Sequence, residues 1–142
     1  NVGHVAHILI DDIPNYNAMT LQMWHEMAAA ITSINENADV RVAVIPGAGD
    51  RAFVSGANIT EFEKVRSSSE TTAIYNAAVK AAQSAISLCR VPVIASIQGI
   101  CYGGGLGLAL SCDLRYASAE SKFRVPAARR PRLWRRGCPV NA

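Results

Sequence analysis

The chain has 142 residues, half of them apolar and 18% charged, with 14 Lys and Arg against 11 Asp and Glu. This length fits one domain, and the apolar fraction is large enough to bury a core. Five arginines lie between positions 129 and 136, so residues 1–128 hold nine basic and eleven acidic side chains, a net charge of −2. A body without basic excess excludes the simplest kind of nucleic-acid-binding domain.

Membrane and export signals are not visible in the sequence. No apolar run reaches the ~18 residues that a membrane-spanning helix needs, and the first residues lack a basic segment followed by an apolar stretch. The four cysteines are widely separated and contain no C-x-x-C pair, which predicts free thiols rather than disulfides or a metal site. These features favour a cytoplasmic protein with no membrane partner and no metal.

Strands and helices are predicted to alternate along the chain. Residues 5–10, 42–45 and 91–97 are apolar, partly β-branched runs that predict three strands. Helical spacing predicts one helix between the first two strands, and a second helix that begins near the cap candidates at residues 67–70. The predicted buried faces are Leu21, Trp24, Ala28 and Ile31 on the first helix, and Ile74, Ala78, Ala81, Ala85 and Leu88 on the second.

This order of elements predicts an α/β fold with buried, mostly parallel strands. No repeat or linker divides residues 1–128, which we interpret as one domain. Residues 129–142 contain two prolines and no helical or strand periodicity. We expect this arginine-rich tail to be disordered by itself.

Two glycine-centred segments, residues 52–61 and 99–109, are the candidates for chemistry. In the second segment, Gly103, Gly104 and Gly105 leave the backbone N–H groups open to a ligand, because glycine has no Cβ. Residues 106–110 predict a helix, and N–H groups at a helix N-terminus stabilise a developing negative charge. A tight strand-to-helix turn that needs glycine only for packing is the alternative. Nucleotide-binding loops do not fit, since G-x-G-x-x-G counted from Gly103 would require glycine at Leu108.

Seven short segments occur in a specific order along residues 5–129. They are Asn17-Ala-Met, Asp39-Val-Arg-Val-Ala-Val, Gly47-Ala-Gly-Asp-Arg-Ala-Phe, Ser55-Gly-Ala-Asn-Ile, Gly99 with Gly103-Gly-Gly, Cys112-Asp-Leu-Arg-Tyr-Ala and Phe123-Arg-Val-Pro. Together they resemble the crotonase superfamily, also called the enoyl-CoA hydratase/isomerase family. The resemblance implies a spiral of β-β-α units, which in this chain would stop before the family's C-terminal helical region.

The resemblance also implies an enzyme that binds an acyl-CoA thioester and stabilises an enolate on the thioester oxygen. By motif position, the backbone N–H groups of Ala57 and Gly104 would form the oxyanion hole, and each such donor is worth roughly 2.7–4 kcal/mol in the transition state. No cofactor beyond the coenzyme A of the substrate is implied, and a homotrimer or hexamer is expected. The residues expected to line the acyl-CoA path are Ser55, Asn58, Ile59, Gly103, Gly107, Pro126 and Ala127.

Two positions depart from the hydratases of this family. Those enzymes use two glutamates as general acid and base, and the matching positions here are Gly107 and Ala127. Because each acid–base group contributes roughly 10²–10⁴-fold, we expect hydration to be severely weakened. Isomerisation or decarboxylation stays open if a base comes from elsewhere, and Glu61 is the nearest carboxylate by motif position. A non-catalytic acyl-CoA binder is the alternative.

The tail departs from the family as well. Where the family usually continues with a segment such as R-L-G-L-G-Y-G, this chain has Arg-Pro-Arg-Leu-Trp-Arg-Arg at residues 130–136. One set of codons for those residues, read one base later, encodes Gly-Leu-Gly-Tyr-Gly-Ala-Gly. This favours a frameshift, which sequencing of the coding DNA tests. The third hypothesis for the function, after an acyl-CoA enzyme and a non-catalytic binder, is nucleic-acid binding through this tail, with Trp134 stacked on bases.

Overall fold

The computed structural model describes residues 3–58, 61 and 68–125. Within these residues the chain forms seven strands, three α-helices and a short 3₁₀ helix at Ile13–Asn15. The strands and helices are, in chain order, β1 (Val5–His7), α1 (Leu21–Glu36), β2 (Val42–Pro46), β3 (Ala52–Val54), α2 (Ser69–Ser87), β4 (Val93–Ile97), β5 (Ile100–Tyr102), α3 (Gly104–Ser111), β6 (Leu114–Ala117) and β7 (Lys122–Arg124).

The strands form two parallel sheets, ordered β1-β2-β4-β6 and β3-β5-β7. From β2 onwards, successive strands therefore alternate between the two sheets. A helix follows each of two strand pairs: β2 and β3 precede α2, and β4 and β5 precede α3. This arrangement confirms the predicted α/β class and the spiral of β-β-α units. The four short strands β3, β5, β6 and β7 were not predicted, because three or four residues are too few to establish a periodicity.

The predicted buried face of α1 agrees with the structure. Trp24 and Ile31 are buried there together with Met27 and Ile34, while Ala28 is half-buried. The Thr20 side chain accepts a hydrogen bond from the Met23 N–H at 3.2 Å, which satisfies one of the N–H groups left free at the helix start.

The predicted face of α2 was displaced by one position over most of its length. The buried residues are Tyr75, Ala78, Ala82 and Ile86, whereas Ile74 is 49% exposed and Leu88 81% exposed. Alanines occupy so many positions of this helix that spacing alone does not distinguish adjacent faces. Tyr75 and Ile86, the large side chains at the two ends of the stripe, decide which face packs against α1.

The core lies between the first sheet and the two long helices. Along β2 and β4 the fully buried residues alternate with less buried ones, as in a sheet packed mainly on one face. Three cysteines of the described segments are free, and two of them, Cys101 and Cys112, are buried. No helix in residues 3–58 and 68–125 is long and apolar enough to cross a membrane. The predicted domain boundary at residue 128 and Cys138 lie outside the described residues.

Candidate functional site

The two glycine-centred segments lie side by side because neighbouring strands lead into them. β3 and β5 pair in parallel with Val54 opposite Cys101. Ala57 and Gly104 each lie three residues beyond that pair, at the same edge of the sheet. The packing there is close, since a Cβ placed on Gly105 would lie 2.5 Å from the Val54 carbonyl oxygen. Glycine at 105 therefore lets the start of α3 contact the end of β3.

Gly104 is the first residue of α3, and its N–H group is free of acceptors from the described residues. Gly103 precedes it as the N-cap with φ of 52°, a conformation that favours glycine. The first hydrogen bond of the helix runs from the Gly107 N–H to the Gly103 carbonyl at 3.0 Å. The Gly104 N–H consequently has no acceptor within the helix, and none elsewhere in the described part of the chain.

Ala57 also presents a free N–H group. The residues on both sides of it hydrogen-bond to Met19: the Met19 N–H donates to the Gly56 carbonyl at 2.8 Å, and the Asn58 N–H donates to the Met19 carbonyl at 3.0 Å. This isolated parallel bridge holds the Ala57 backbone in place. The Ala57 N–H itself donates to no acceptor among residues 3–58, 61 and 68–125.

An open cavity of about 500 Å³ adjoins Ala57. Ser55 and Asn58 line it from the same loop, so three of the predicted site residues share one cavity. The opposite wall consists of residues 14–16 and 18. The loops are joined by the Ser55 N–H, which donates to the Tyr16 carbonyl at 3.1 Å. Ile59, which was predicted to belong to this path, lies outside the described residues.

A cation stacks on Tyr16, one of the residues that line this cavity. The Arg51 guanidinium lies 4.2 Å from the centre of the Tyr16 ring and donates a hydrogen bond to the Tyr16 hydroxyl. Tyr16 adopts a left-handed backbone conformation, with φ of 55°, which turns the chain at the end of the 3₁₀ helix. The arrangement holds the guanidinium against the Tyr16 ring. Arg51 itself lines a neighbouring depression together with Asp50.

The floor beneath Gly104 is a buried aromatic pair that the sequence analysis did not assign to the site. The Trp24 indole N–H donates to the Tyr75 hydroxyl at 3.0 Å, and that hydroxyl donates to the Met19 carbonyl at 3.3 Å. Burial raises the pKa of Tyr75, so it remains a neutral donor. A Cβ on Gly104 would lie 3.4 Å from the Trp24 ring. The sequence did contain a signal for this pair, because Tyr75 is the one aromatic side chain of α2.

Glu61 serves as a hydrogen-bond acceptor for the backbone. Its carboxylate accepts from the Leu21 N–H, the first residue of α1, at 2.8 Å. Its own N–H donates to the Asn58 side-chain oxygen at 3.3 Å. A carboxylate at a helix N-terminus is favourable because it pairs with free N–H groups and with the positive end of the helix dipole. The contacts of Glu61 therefore support α1.

Gly107 carries no side chain, and the space beside it is occupied. A Cβ placed on Gly107 would lie 2.7 Å from Nε2 of Gln83 on α2. Next to this contact, the Ser87 hydroxyl is 3.3 Å from the Ser111 carbonyl, and the Ser111 hydroxyl donates to the Gly107 carbonyl at 2.9 Å. Gly107 thus allows α3 to lie close against α2. Pro126 and Ala127 lie outside the described residues.

Residues 2–130 match the family model described as enoyl-CoA hydratase/isomerase. The chain belongs to the enoyl-CoA hydratase/isomerase family. This confirms the family resemblance that the seven ordered segments carry.

Two similar curated proteins are named for different reactions. The peroxisomal Delta(3,5)-Delta(2,4)-dienoyl-CoA isomerase of Arabidopsis thaliana is 34% identical over 131 residues, which cover 85% of this chain and 47% of the isomerase. The (7aS)-7a-methyl-1,5-dioxo-2,3,5,6,7,7a-hexahydro-1H-indene-carboxyl-CoA hydrolase of Mycobacterium tuberculosis is 36% identical over 124 residues, covering 86% of this chain and 49% of the hydrolase. The chain spans about half the length of the curated relatives that it matches.

The fold of this family is also found in solved structures. A crystal structure of an enoyl-CoA hydratase/carnithine racemase from Magnetospirillum magneticum superposes with a TM-score of 0.86 at 36% identity. The superposed residues make up 90% of this chain and 48% of the Magnetospirillum chain. Since one of the curated relatives is named as peroxisomal, family membership does not decide the compartment, and the cytoplasmic location stays a prediction.

Proposed function

We propose that this chain binds an acyl-CoA thioester and stabilises its enolate with the N–H groups of Ala57 and Gly104. The observation that carries the proposal is the pair of N–H groups without an acceptor at the ends of two adjacent strands. Preorganised donors of this kind stabilise negative charge that develops on a carbonyl oxygen. The acyl-CoA class follows from the family and from the names of its members.

The coenzyme A portion is proposed to lie in the cavity beside Ala57. Ser55 and Asn58 supply a hydroxyl and an amide on its wall, and its volume of about 500 Å³ suits part of an extended ligand. The Arg51 guanidinium stacks on Tyr16, which lines the cavity. Coenzyme A carries phosphates, so a positive charge beside its path favours binding.

The reaction proposed is enolate chemistry other than hydration. Gly107 has no group that transfers a proton, and the Glu61 carboxylate is engaged by the N-terminus of α1. Relatives named as an isomerase and a hydrolase are consistent with a family that performs several reactions on CoA esters. Decarboxylation of an acyl-CoA fits the two N–H donors without the hydratase acid–base pair, because the loss of CO2 itself leaves the enolate, which water then protonates. Isomerisation needs in addition a base, from elsewhere, that removes a proton from the acyl group.

Gly104→Pro tests the oxyanion hole, since proline removes the N–H group but is tolerated at the first position of a helix. Turnover of the acyl-CoA substrate should fall by roughly 10²–10³-fold, as expected for the loss of one oxyanion donor. Gly104→Ala is the matched control, because it adds a Cβ near Trp24 while keeping the N–H. Equal turnover of the proline and alanine variants would contradict the proposal.

A second candidate is an acyl-CoA-binding protein without catalysis, and the missing side chain at Gly107 favours it. Calorimetric titration with crotonyl-CoA, run beside absorbance assays of its hydration and of the isomerisation of a dienoyl-CoA, separates the two. Binding together with turnover of a dienoyl-CoA or other isomerisable thioester supports the enzyme. Binding with no turnover of any such thioester supports the non-catalytic binder, and no binding contradicts both.

A further inference from the structure

The direction of the Ala57 N–H is fixed by the backbone of Met19. Met19 donates to the carbonyl before Ala57 at 2.8 Å and accepts from the N–H after it at 3.0 Å, as a parallel strand does. In such a pairing the residue opposite points its own N–H away from the partner strand. A shift of Met19, which is fully buried just before α1, would therefore turn the Ala57 N–H with it.

The Tyr75 hydroxyl holds Met19 from the other side. It donates to the Met19 carbonyl at 3.3 Å and accepts from the Trp24 indole N–H at 3.0 Å. The Met19 carbonyl thus accepts two hydrogen bonds, which uses both of its lone pairs. Tyr75 is 7% exposed and Trp24 1% exposed, so water has little access to replace a lost partner.

The same aromatic pair contacts the second N–H donor. The Trp24 ring lies 3.4 Å from the position of a Cβ built on Gly104, which places the ring in contact with the first turn of α3. Trp24 is on α1 and Tyr75 is on α2, and these two helices pack against each other. One continuous set of contacts therefore joins the two donors, and its members in order are Ala57, Met19, Tyr75, Trp24 and Gly104.

We propose that Tyr75 is a positioning residue that sets the separation of the two N–H groups of the oxyanion hole, by holding the Met19 carbonyl and the Trp24 ring. The inference rests on the proposed function and names a side chain that supports the same site. One oxygen has to lie about 2.7–3.1 Å from both donors, and such a site tolerates displacements of only about 0.5 Å. The alternative is a buried hydrogen bond that stabilises the fold and has no effect on the donors.

Infrared difference spectroscopy of bound butyryl-CoA, isotope-labelled at the thioester carbonyl, tests the inference. Butyryl-CoA has no double bond to hydrate, and two well-placed donors should lower its carbonyl stretching frequency below the value in water. Tyr75→Phe removes only the hydroxyl, and it should lose roughly half of this downshift because one donor leaves its position. Spectra are recorded at saturating butyryl-CoA, so a change in affinity does not affect the comparison.

Two controls separate the position of Tyr75 from its contribution to stability. Tyr116→Phe makes the same change at a tyrosine that is 66% exposed on β6, and it should keep the full downshift. Ile86→Val leaves a small cavity in the core about three turns further along α2, so it should lower the urea midpoint and still keep the downshift.

Trp24→Phe is a second, independent variant. It leaves the Tyr75 hydroxyl on the Met19 carbonyl but places a smaller ring beside Gly104, so the downshift should decrease here as well. Circular dichroism verifies folding of every variant. If Tyr75→Phe does not fold, Trp24→Phe decides the inference.

Gly104→Pro distinguishes the inference from the function on which it rests, since it removes one donor directly. No binding of butyryl-CoA, no downshift in the original chain, or a full downshift in Gly104→Pro overturns the proposed function and the inference with it. A full downshift in both aromatic variants, or an equal loss in Ile86→Val, overturns the inference and leaves the proposed function standing. A downshift reduced in Tyr75→Phe and kept in both controls supports the two together.

Discussion

Asn17 is a buried polar residue, 1% exposed, that joins three loops near the candidate site. Its amide donates to the carbonyls of Ala48 and Ala52 at 3.0 and 2.7 Å, and its oxygen accepts from the Asp12 N–H at 2.8 Å. The residue also adopts φ of 54°, a conformation that asparagine tolerates better than most residues. Every polar atom of the side chain is therefore used.

Asn17→Ala should destabilise the chain by about 2–4 kcal/mol, because it removes three hydrogen bonds and leaves buried backbone groups unpaired. Urea denaturation followed by circular dichroism measures the loss. The control is Asn15→Ala, since the Asn15 side chain is exposed and, within the described part of the chain, donates only to the Asp12 carboxylate. An Asn17 variant no less stable than the Asn15 variant would show that the loops are held by other contacts.

Two buried thiols make the unfolding free energy fall at alkaline pH. Burial raises the pKa of Cys101 to about 11 and of Cys112 to about 12, from ordinary values near 9. Above pH 9 the unfolded chain loses these protons while the folded chain keeps them, so the unfolding free energy decreases as pH rises from 9 towards 11. Below pH 9 both states hold the protons and the contribution is constant.

The urea midpoint should therefore be lower at pH 10.5 than at pH 8.5, and iodoacetamide at pH 8.5 should leave both buried thiols unmodified in the folded chain. Mass spectrometry after digestion identifies the labelled positions. Addition of urea above the midpoint is the positive control and should expose both thiols. Rapid labelling of Cys101 without urea would contradict the burial that raises its pKa.

At the scale of elements, the C-terminus of α1 depends on an arginine from the loop after α2. The Arg90 side chain donates to the carbonyls of Asn35, Asn37 and Val40 at 3.4, 2.8 and 3.3 Å. These carbonyls lie in the last turn of α1 and in the segment leading to β2. Positive charge at this end also interacts favourably with the helix dipole.

Arg90→Ala should lower the unfolding free energy by about 1 kcal/mol, as expected for partly exposed hydrogen bonds to a helix end. The measurement is the urea midpoint, compared between variants whose unfolding free energy depends on urea concentration with the same slope. Arg41→Ala is the matched control, because Arg41 is exposed and its side chain forms no hydrogen bond with the described residues. Equal effects of the two changes would mean that Arg90 acts only through overall charge.

Elements were predictable from the sequence where a large apolar side chain marked the buried face. Trp24 and Ile31 identified the face of α1 correctly. In α2 the alanines did not distinguish adjacent faces, and Tyr75 was left out of the predicted buried face. The three-residue strands β3 and β5, which lead into the candidate site, were missed because their pairing partners are distant in sequence.

At the scale of the whole molecule, both sheets end in an exposed strand. β6 is the last strand of one sheet and β7 of the other, and every residue of both strands is exposed. Unpaired edges that carry apolar side chains favour association with another surface. The apolar residues of this open side, together with the neighbouring Leu110 and Val125, are Leu114, Tyr116 and Phe123.

We expect the chain to self-associate through this side, with a weight-average mass in sedimentation that rises with concentration. Tyr116→Lys combined with Phe123→Lys should shift the distribution towards monomer, because charges on an edge strand oppose pairing. Leu88→Lys is the control, since Leu88 is 81% exposed but lies at the end of α2. A monomer at all concentrations would contradict the expectation. The trimer or hexamer suggested by the family stays a prediction.

The sequence by itself determined the family, the order of the strands β1, β2 and β4 and of the three helices, and the absence of a proton-carrying side chain at Gly107. These properties depend on local motifs and on periodicities within single elements. Only the tertiary structure decided that Ala57 and Gly104 lie at one sheet edge with free N–H groups, and that the Gln83 amide fills the space beside Gly107. Strand register and helix packing bring together residues distant in the chain, and no local pattern encodes that contact.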